Sequence, residues 1–229
     1  MRRRLGWLGL VLGCATAVLG TGSALAQQDV GGHYLGIRAI GSLAKVDDTN
    51  TRGFLGSSLV QNDDDEVAGA AGVLGWAFRE FPARVELEAG YRFRFDWDVR
   101  DVAPARTVDY EINVATVQAV VNTILEWRNS SSFTPFVGAT VGWARNIADT
   151  QRTVLATQFQ FDEETSKDNL AYGGLAGVSW RLAESFSLDL MYRYINLGEV
   201  ETGVVATGEV ISSDDYTSHD ILFSAYYHF

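Results

Sequence analysis

An alternation of apolar and polar residues between Ala83 and Trp97 constrains this chain more than any other feature. A β-strand places successive side chains on opposite faces, so each parity of the run occupies one face. The apolar parity reads Ala83, Val85, Leu87, Ala89, Tyr91, Phe93, Phe95 and Trp97. The polar parity reads Arg84, Glu86, Glu88, Gly90, Arg92, Arg94 and Asp96. The run is longer than the usual strand of a globular protein and its aromatic residues gather at one end, which favours a membrane-spanning strand.

Seven further segments carry the same alternation with more noise. Their apolar positions run over Leu35–Leu43, Ala68–Phe78, Val117–Trp127, Val137–Trp143, Tyr172–Trp180, Phe186–Tyr194 and Ile221–Phe229. Together with the first run they predict an all-β fold, an up-and-down antiparallel transmembrane β-barrel of about eight strands. Tyr110, Ile112 and Val114 precede the Val117–Trp127 segment on the other parity, which predicts a β-bulge near Ala115.

The connections between these segments alternate in length. Short ones are predicted at Arg79–Pro82, Arg128–Ser132 and Ala183–Ser185. Long loops are predicted at Asp47–Asp65, Asp98–Thr107, Ile147–Asn169 and Gly198–Thr217. Short periplasmic turns and long outer loops are typical of bacterial outer-membrane barrels.

The N-terminus has the layout of a secretory signal peptide. Arg2, Arg3 and Arg4 precede an apolar stretch, and Ala24-Leu25-Ala26 is a small-x-small cleavage site before Gln27. We therefore predict a signal peptide over residues 1–26 and a barrel domain over residues 27–229. A transmembrane anchor and a lipoprotein signal ending at Cys14 are the alternatives. The apolar stretch is short for a transmembrane helix. It also continues past Cys14, which disfavours the lipoprotein signal.

Charge and composition exclude several classes of function. Removing residues 1–26 takes away three arginines and no acid, so Lys+Arg falls from 18 to 15 against 29 acids and the net charge becomes −14. Such a chain has no basic patch for nucleic acid. Its one cysteine, Cys14, lies in the predicted signal, which excludes a disulfide framework. Mean hydropathy is −0.00, and no apolar run after the signal is long enough for a transmembrane helix.

Catalytic and metal-binding patterns are weak. Ser218, His219 and Asp220 are the residue types of a catalytic triad, but consecutive strand residues point to alternate faces and cannot converge. The acidic clusters at Asp63–Asp65, Asp162–Glu164 and Asp214–Asp215 lack the spacing and the glycine of a calcium loop. We predict no enzyme activity, no cofactor and no metal site, with a lipid-modifying envelope enzyme that uses His219 as the remaining catalytic alternative.

Segments in the second half of the chain resemble a known family. Asn122–Trp127, Thr134–Gly138, Gly142–Ala144 and Leu188–Gly198 are similar to strands of the small opacity-type, porin-like barrels of Gram-negative bacteria, which are related in fold to the transmembrane domain of outer membrane protein A. Thr140 and Ile124-Leu125 depart from the family's pattern. The resemblance implies surface exposure in the outer membrane, a role in envelope stability and in some members adhesion.

The end of the chain fits the same family. The last strand ends on an aromatic residue, which resembles the assembly signal read by the barrel-assembly machinery. The residues of this predicted signal are Ile221, Phe223, Ala225, Tyr227 and Phe229.

The interior of an eight-stranded barrel is only wide enough for side chains. The predicted lumen residues carry both signs of charge, and buried charges have to be paired. They are Arg38, Arg84, Glu86, Glu88, Arg92, Arg94, Gln118, Glu126, Arg181, Asp189 and Arg193. We therefore predict a lumen filled by ion pairs and a function in the long acidic loops, with lipopolysaccharide, host surfaces and other envelope components as partners. A narrow channel and a soluble lipocalin-like binder are the alternatives.

Overall fold

The structure is a computed structural model that describes residues 32–62, 64–104, 106–204 and 208–229. The predicted signal peptide therefore lies outside the described residues. These residues form ten strands: β1 Gly32–Arg52, β2 Ser57–Asn62, β3 Asp64–Ala77, β4 Ala83–Ala103, β5 Arg106–Glu126, β6 Phe133–Val154, β7 Phe159–Ala183, β8 Phe186–Asn196, β9 Val200–Val204 and β10 Glu209–His228. No helix in these ranges is both long and apolar enough to cross a membrane.

Eight of the strands form a closed antiparallel ring. The order is β1-β3-β4-β5-β6-β7-β8-β10, and β10 pairs with β1 from Tyr34–His228 to Arg52–Val210. The short strands β2 and β9 pair with β4 and β10 near the ends of the long hairpins. The predicted barrel of about eight strands is confirmed.

The two ends of the barrel differ, as predicted from the connection lengths. Residues 78–82, 127–132 and 184–185 form short turns at the end where β1 begins and β10 finishes, here called the turn end. At the opposite, hairpin end, however, the strands continue far into the segments predicted as loops: β4 reaches Ala103 and β5 resumes at Arg106, while β6 reaches Val154 and β7 resumes at Phe159. The predicted loops Asp98–Thr107 and Ile147–Asn169 are mostly paired strand.

The polarity of the strands inverts along their length, and this corrects the predicted bulge near Ala115. β5 pairs with β6 in unbroken register from Val108–Val154 to Glu126–Phe136. Tyr110, Ile112 and Val114 share the inward parity of the residues that follow and are fully buried. The parity of β5 never changes. Instead, apolar residues face outward in the lipid-exposed part of the strand and inward beyond it, where water surrounds the barrel.

The bulge lies in β4 instead. The pairing of β4 with β5 shifts between Arg92 and Phe95. Phe93 and Arg94 both face outward at this point, and Phe95 and Trp97 turn into the interior, where both are completely buried. The single apolar face predicted from Ala83 to Trp97 is therefore wrong at its Phe95–Trp97 end, whereas Ala83 keeps the outward parity of its partner Leu125.

Candidate functional site

The lumen takes its charge from the polar parity of the membrane-facing strands. In β4, Leu87 lies outside and is 52% exposed, whereas Glu86 and Glu88 on either side of it are fully buried. In β1, Arg38 is buried between the exposed residues Ile37 and Ala39. The strand period of two thus places charges inside the barrel and apolar side chains against lipid.

Arg38 connects two carboxylates of β4. Its Nη2 atom donates a hydrogen bond to Glu86 Oε2 at 2.8 Å, and its Nη1 atom contacts Glu88. Its Nε atom donates to Ser224 Oγ on β10 at 2.8 Å, and Tyr34 OH donates to Glu86 Oε1 at 3.0 Å. The guanidinium therefore links three strands across the lumen.

Glu88 and Asp220 form a second centre with two further arginines. Arg193 Nη1 donates to both carboxylate oxygens of Glu88 at 3.0 Å, and Arg193 Nε donates to Asp220 Oδ2 at 3.0 Å. Arg92 meets Asp220 with two bonds of 2.8 and 2.6 Å. Gln118 Nε2 adds a bond to Glu88 Oε1 at 2.7 Å. Each arginine of this group holds a carboxylate, which is the pairing that buried charges require.

The last part of the network lies nearer the turn end. Arg84 contacts Asp189, and its Nε atom lies 3.6 Å from carboxylate oxygens of both Glu86 and Glu126. The guanidinium carbon of Arg84 also lies 4.8 Å from the ring centroid of Phe136, within the range of a cation–π contact.

The structure places the predicted lumen residues as follows. Arg38, Arg84, Glu86, Glu88, Arg92, Gln118, Asp189 and Arg193 are buried in one connected network. Glu126 lies at its edge, and Arg181 lies at the turn-end rim, where it donates to the carbonyl of Glu184 at 3.2 Å. Arg94 does not belong to the lumen. The bulge in β4 points it outward, where its side chain is 59% exposed and contacts Asp149.

Sequence reasoning missed several members of the network. Asp220 is the most important of them, because it holds both Arg92 and Arg193. The sequence offered a signal for it, because Asp220 has the same parity as the polar residues Ser224 and His228 of the last strand, and this parity faces the lumen. The others are Tyr34, Ser42, Asn122, Ser218, Ser224 and Tyr226.

Beyond the charged lumen, towards the hairpin end, the interior becomes apolar. We call the part of the barrel that lies between the level of Lys45, Arg94 and Arg145 and the hairpin end the outer section. Its core contains Phe95 stacked on Tyr216 with ring centroids 5.3 Å apart, and Phe54 stacked on Tyr110 at 5.1 Å. Trp97 packs in the same cluster. The outer section therefore has an interior like that of a soluble β-protein.

Ion pairs surround the far end of this apolar core. Glu209 accepts a hydrogen bond from Arg152 Nε at 2.6 Å and one from Arg106 Nη2 at 2.8 Å. Arg106 also reaches Asp101 at 3.2 Å. On one side, between β7 and β9, hydrogen bonds from Lys167 to Glu199 and Glu201 raise the pKa of this lysine. These contacts tie the hairpins to one another.

The residues considered for catalysis do not converge. Ser218 and Asp220 are buried in the lumen, whereas His219 faces outward and shares a hydrogen bond of 2.6 Å with the hydroxyl of Tyr192. In the described part of the chain, His, Cys, Asp and Glu residues form no cluster of three or more that could hold a metal ion.

Comparison with known proteins agrees with this architecture. A model of the outer membrane protein β-barrel domain matches residues 12–229. Outer membrane protein PagN of Salmonella typhimurium is 25% identical over 163 residues, which cover 67% of this chain and 66% of that protein, just under two thirds of its length.

Solved structures share the fold. OprG of Pseudomonas aeruginosa superposes with a TM-score of 0.54 at 14% identity, over 87% of this chain and 98% of that one. Neisserial surface protein A superposes with a TM-score of 0.50 at 15% identity, over 86% and 97%. The family resemblance and the outer-membrane location expected from the sequence are confirmed. Since the family model spans nearly the whole chain, this protein belongs to the outer membrane protein β-barrel family of Gram-negative bacteria.

Proposed function

We propose that this protein is a surface-contact barrel, whose lumen is closed by ion pairs and whose extracellular hairpins bind components outside the cell or in the envelope. One observation carries the proposal: the strands continue as paired hairpins past the lipid-facing band and enclose an apolar core of their own. A rigid scaffold that presents residues beyond the membrane is the usual basis for recognition by surface loops.

Exposed acidic side chains support this proposal. On the β6/β7 hairpin, Asp162, Glu164 and Asp168 are exposed. Phe159 and Leu155 are exposed at its tip. Exposed apolar residues among charges favour contact with a partner. Host surfaces and neighbouring envelope components, including lipopolysaccharide, are the partners we propose.

Shortening the β6/β7 hairpin tests this function. Removal of residues 152–161, with a two-residue turn in their place, takes away the tip but leaves the charged lumen intact. We expect a folded barrel, seen as heat-modifiable migration on a gel, with adhesion of expressing cells to host-cell monolayers reduced at least about threefold.

His219→Ala is the matched control for the enzyme alternative, because it removes the one outward-facing histidine of the triad-like run without touching the hairpins. Adhesion and the lipid profile of the cells should stay unchanged in this variant. An unaffected adhesion after hairpin removal, together with an altered lipid profile in His219→Ala, would contradict the proposed function and favour an enzyme.

The closed lumen has its own test. Four arginines and four carboxylates pair inside the barrel, so a continuous column of water has no room in an eight-stranded interior. We expect the pure protein to show no stable conductance in planar bilayers at neutral pH. A steady, large conductance would support the channel alternative instead.

The C-terminal residues stay a predicted assembly signal. Ile221, Phe223, Tyr227 and Phe229 all face outward from β10, the strand that closes the ring against β1. A row of exposed, mostly aromatic side chains on the closing strand supports recognition by the assembly machinery.

A further inference from the structure

The short strand β2 has a free edge in the outer section. Among the described residues it pairs with β4 alone, from Ser57–Val102 to Asn62–Asp98. The ladder between β1 and β3 reaches only as far as Lys45–Asp64. Above that point no strand among the described residues lies between β1 and β2, so this edge of β2 has no ladder with any part of the chain that the structure describes.

Both faces of β2 are accessible beside this edge. Leu59, next to Arg100 on the outer face, is 53% exposed. Val60 is 44% exposed although its partner Val99 belongs to the buried apolar core. An inward-facing valine with that exposure shows that the core is uncovered along β2.

The sequence places no charge and no proline on this edge, although β2 is short and its register with β4 shifts between Val60 and Asn62. Native edge strands commonly carry charges or proline that prevent pairing with another chain. The segment between Arg52 and Asp63 contains neither a charged residue nor a proline. The outer part of β7, by contrast, carries Asp162, Glu164 and Lys167. An uncharged edge in a chain with so many acids is a feature specific to β2.

The base of the edge is acidic. Asp48 on β1 and Asp64 and Glu66 on β3 are exposed there. Lys45 lies there too, but it is paired with Asp47. The outer end of the gap differs, because the exposed Arg52 ends β1 at that point. A segment that enters this gap therefore meets negative charge at the base of the gap and an apolar core along its length.

We propose that the free edge of β2 is a strand-addition site, which binds an extended segment of a partner polypeptide with apolar residues at alternate positions and basic residues at the flank that reaches the base of the gap. Backbone hydrogen bonds to β2 supply affinity, and the inward apolar side chains cover Val60. The inference rests on the proposed surface-contact function and names the way in which the partner is held.

A synthetic peptide tests the site directly. Val and Thr alternate in the probe, which carries a Lys pair at one end. One control peptide carries a Glu pair instead, and a second has proline at alternate core positions. Binding is measured by fluorescence anisotropy on the full protein, purified folded from outer membranes. We expect the Lys-flanked peptide to bind, and the Glu-flanked and proline peptides to bind at least about tenfold more weakly.

Two protein variants locate the binding. Val60→Lys places a charge on the free edge and should weaken binding of the Lys-flanked peptide at least about tenfold. Ser130→Lys is the matched control, since Ser130 is exposed in the turn formed by residues 127–132, at the opposite end of the barrel from this edge. Both variants are checked for heat-modifiable migration, so a loss of binding is read only from folded protein.

Several results would overturn the inference: no binding of the Lys-flanked peptide, equal binding by Val60→Lys, or equal loss in Ser130→Lys. Disulfide-linked dimers of Val60→Cys without peptide would also overturn it, because they would show a second copy of the chain as the occupant; residues 27–229 contain no other cysteine. Cell adhesion separates the two proposals. Loss of adhesion on hairpin shortening but not in Val60→Lys would leave the surface-contact function standing and remove the β2 site.

Discussion

Leu87→Arg should sharply reduce folding of the barrel into membranes. Leu87 lies on the lipid-facing side of β4, flanked by the buried Glu86 and Glu88. An arginine that faces lipid near the middle of the bilayer costs about 2–4 kcal/mol. We expect a folded fraction well below that of the wild type in liposome refolding followed by heat-modifiable migration, and a lower urea midpoint for the protein that does fold.

Glu88→Gln is the control on the opposite face of the same strand. Glu88 accepts bonds from Arg38, Arg193 and Gln118, but Arg38 keeps Glu86 and Arg193 keeps Asp220 when the charge is lost. Because both arginines retain a carboxylate, the folded fraction should stay close to that of the wild type. Equal folding of the two variants would mean that the faces of β4 are assigned wrongly.

The sequence was sufficient to predict the barrel where one physical rule applies along the whole segment. Between Leu35 and Leu43, and between Ile221 and Phe229, lipid lies on one side of the strand and packed polar side chains lie on the other. Parity alone therefore assigns each residue to the outer or the inner face. The same rule placed Arg38, Glu88 and Arg193 inside the lumen. It could not identify their partners, because pairing such as that of Arg92 with Asp220 depends on register across the ring.

The prediction failed where the environment changes within one strand. Beyond the bilayer, water replaces lipid outside, so an apolar residue belongs inside. The apolar residues then move from the outward-facing parity to the inward-facing parity without any irregularity of the strand, as Ile112 and Val114 show in β5. In β4 a real bulge near Arg94 coincides with the same change of environment and compensates for it, so the apolar alternation continues unbroken in the sequence while Phe95 and Trp97 turn inward. A single sequence does not distinguish a bulge from a change of solvent, so Arg94 was placed in the lumen and Ala115 in a bulge.

The largest stability effect that follows from this correction is that of Trp97→Ala. Trp97 is completely buried in the core of the outer section, among residues of several strands. Truncating a buried tryptophan to alanine costs about 3–5 kcal/mol, because packing is lost and a cavity remains. If Trp97 faced lipid, as the uncorrected alternation implied, the loss would be much smaller.

Arg94→Ala provides the comparison three residues earlier on the same strand. Its side chain is 59% exposed and its contact is with the partly exposed Asp149, so its removal should cost less than about 1 kcal/mol. Urea unfolding in liposomes gives the stability of both variants, and limited proteolysis of the β4/β5 hairpin reports on the outer section alone. We expect Trp97→Ala to be cleaved in this hairpin while the membrane-embedded part still migrates as a folded barrel. A strong destabilisation by Arg94→Ala with a silent Trp97→Ala would restore the uninterrupted alternation and place the bulge elsewhere.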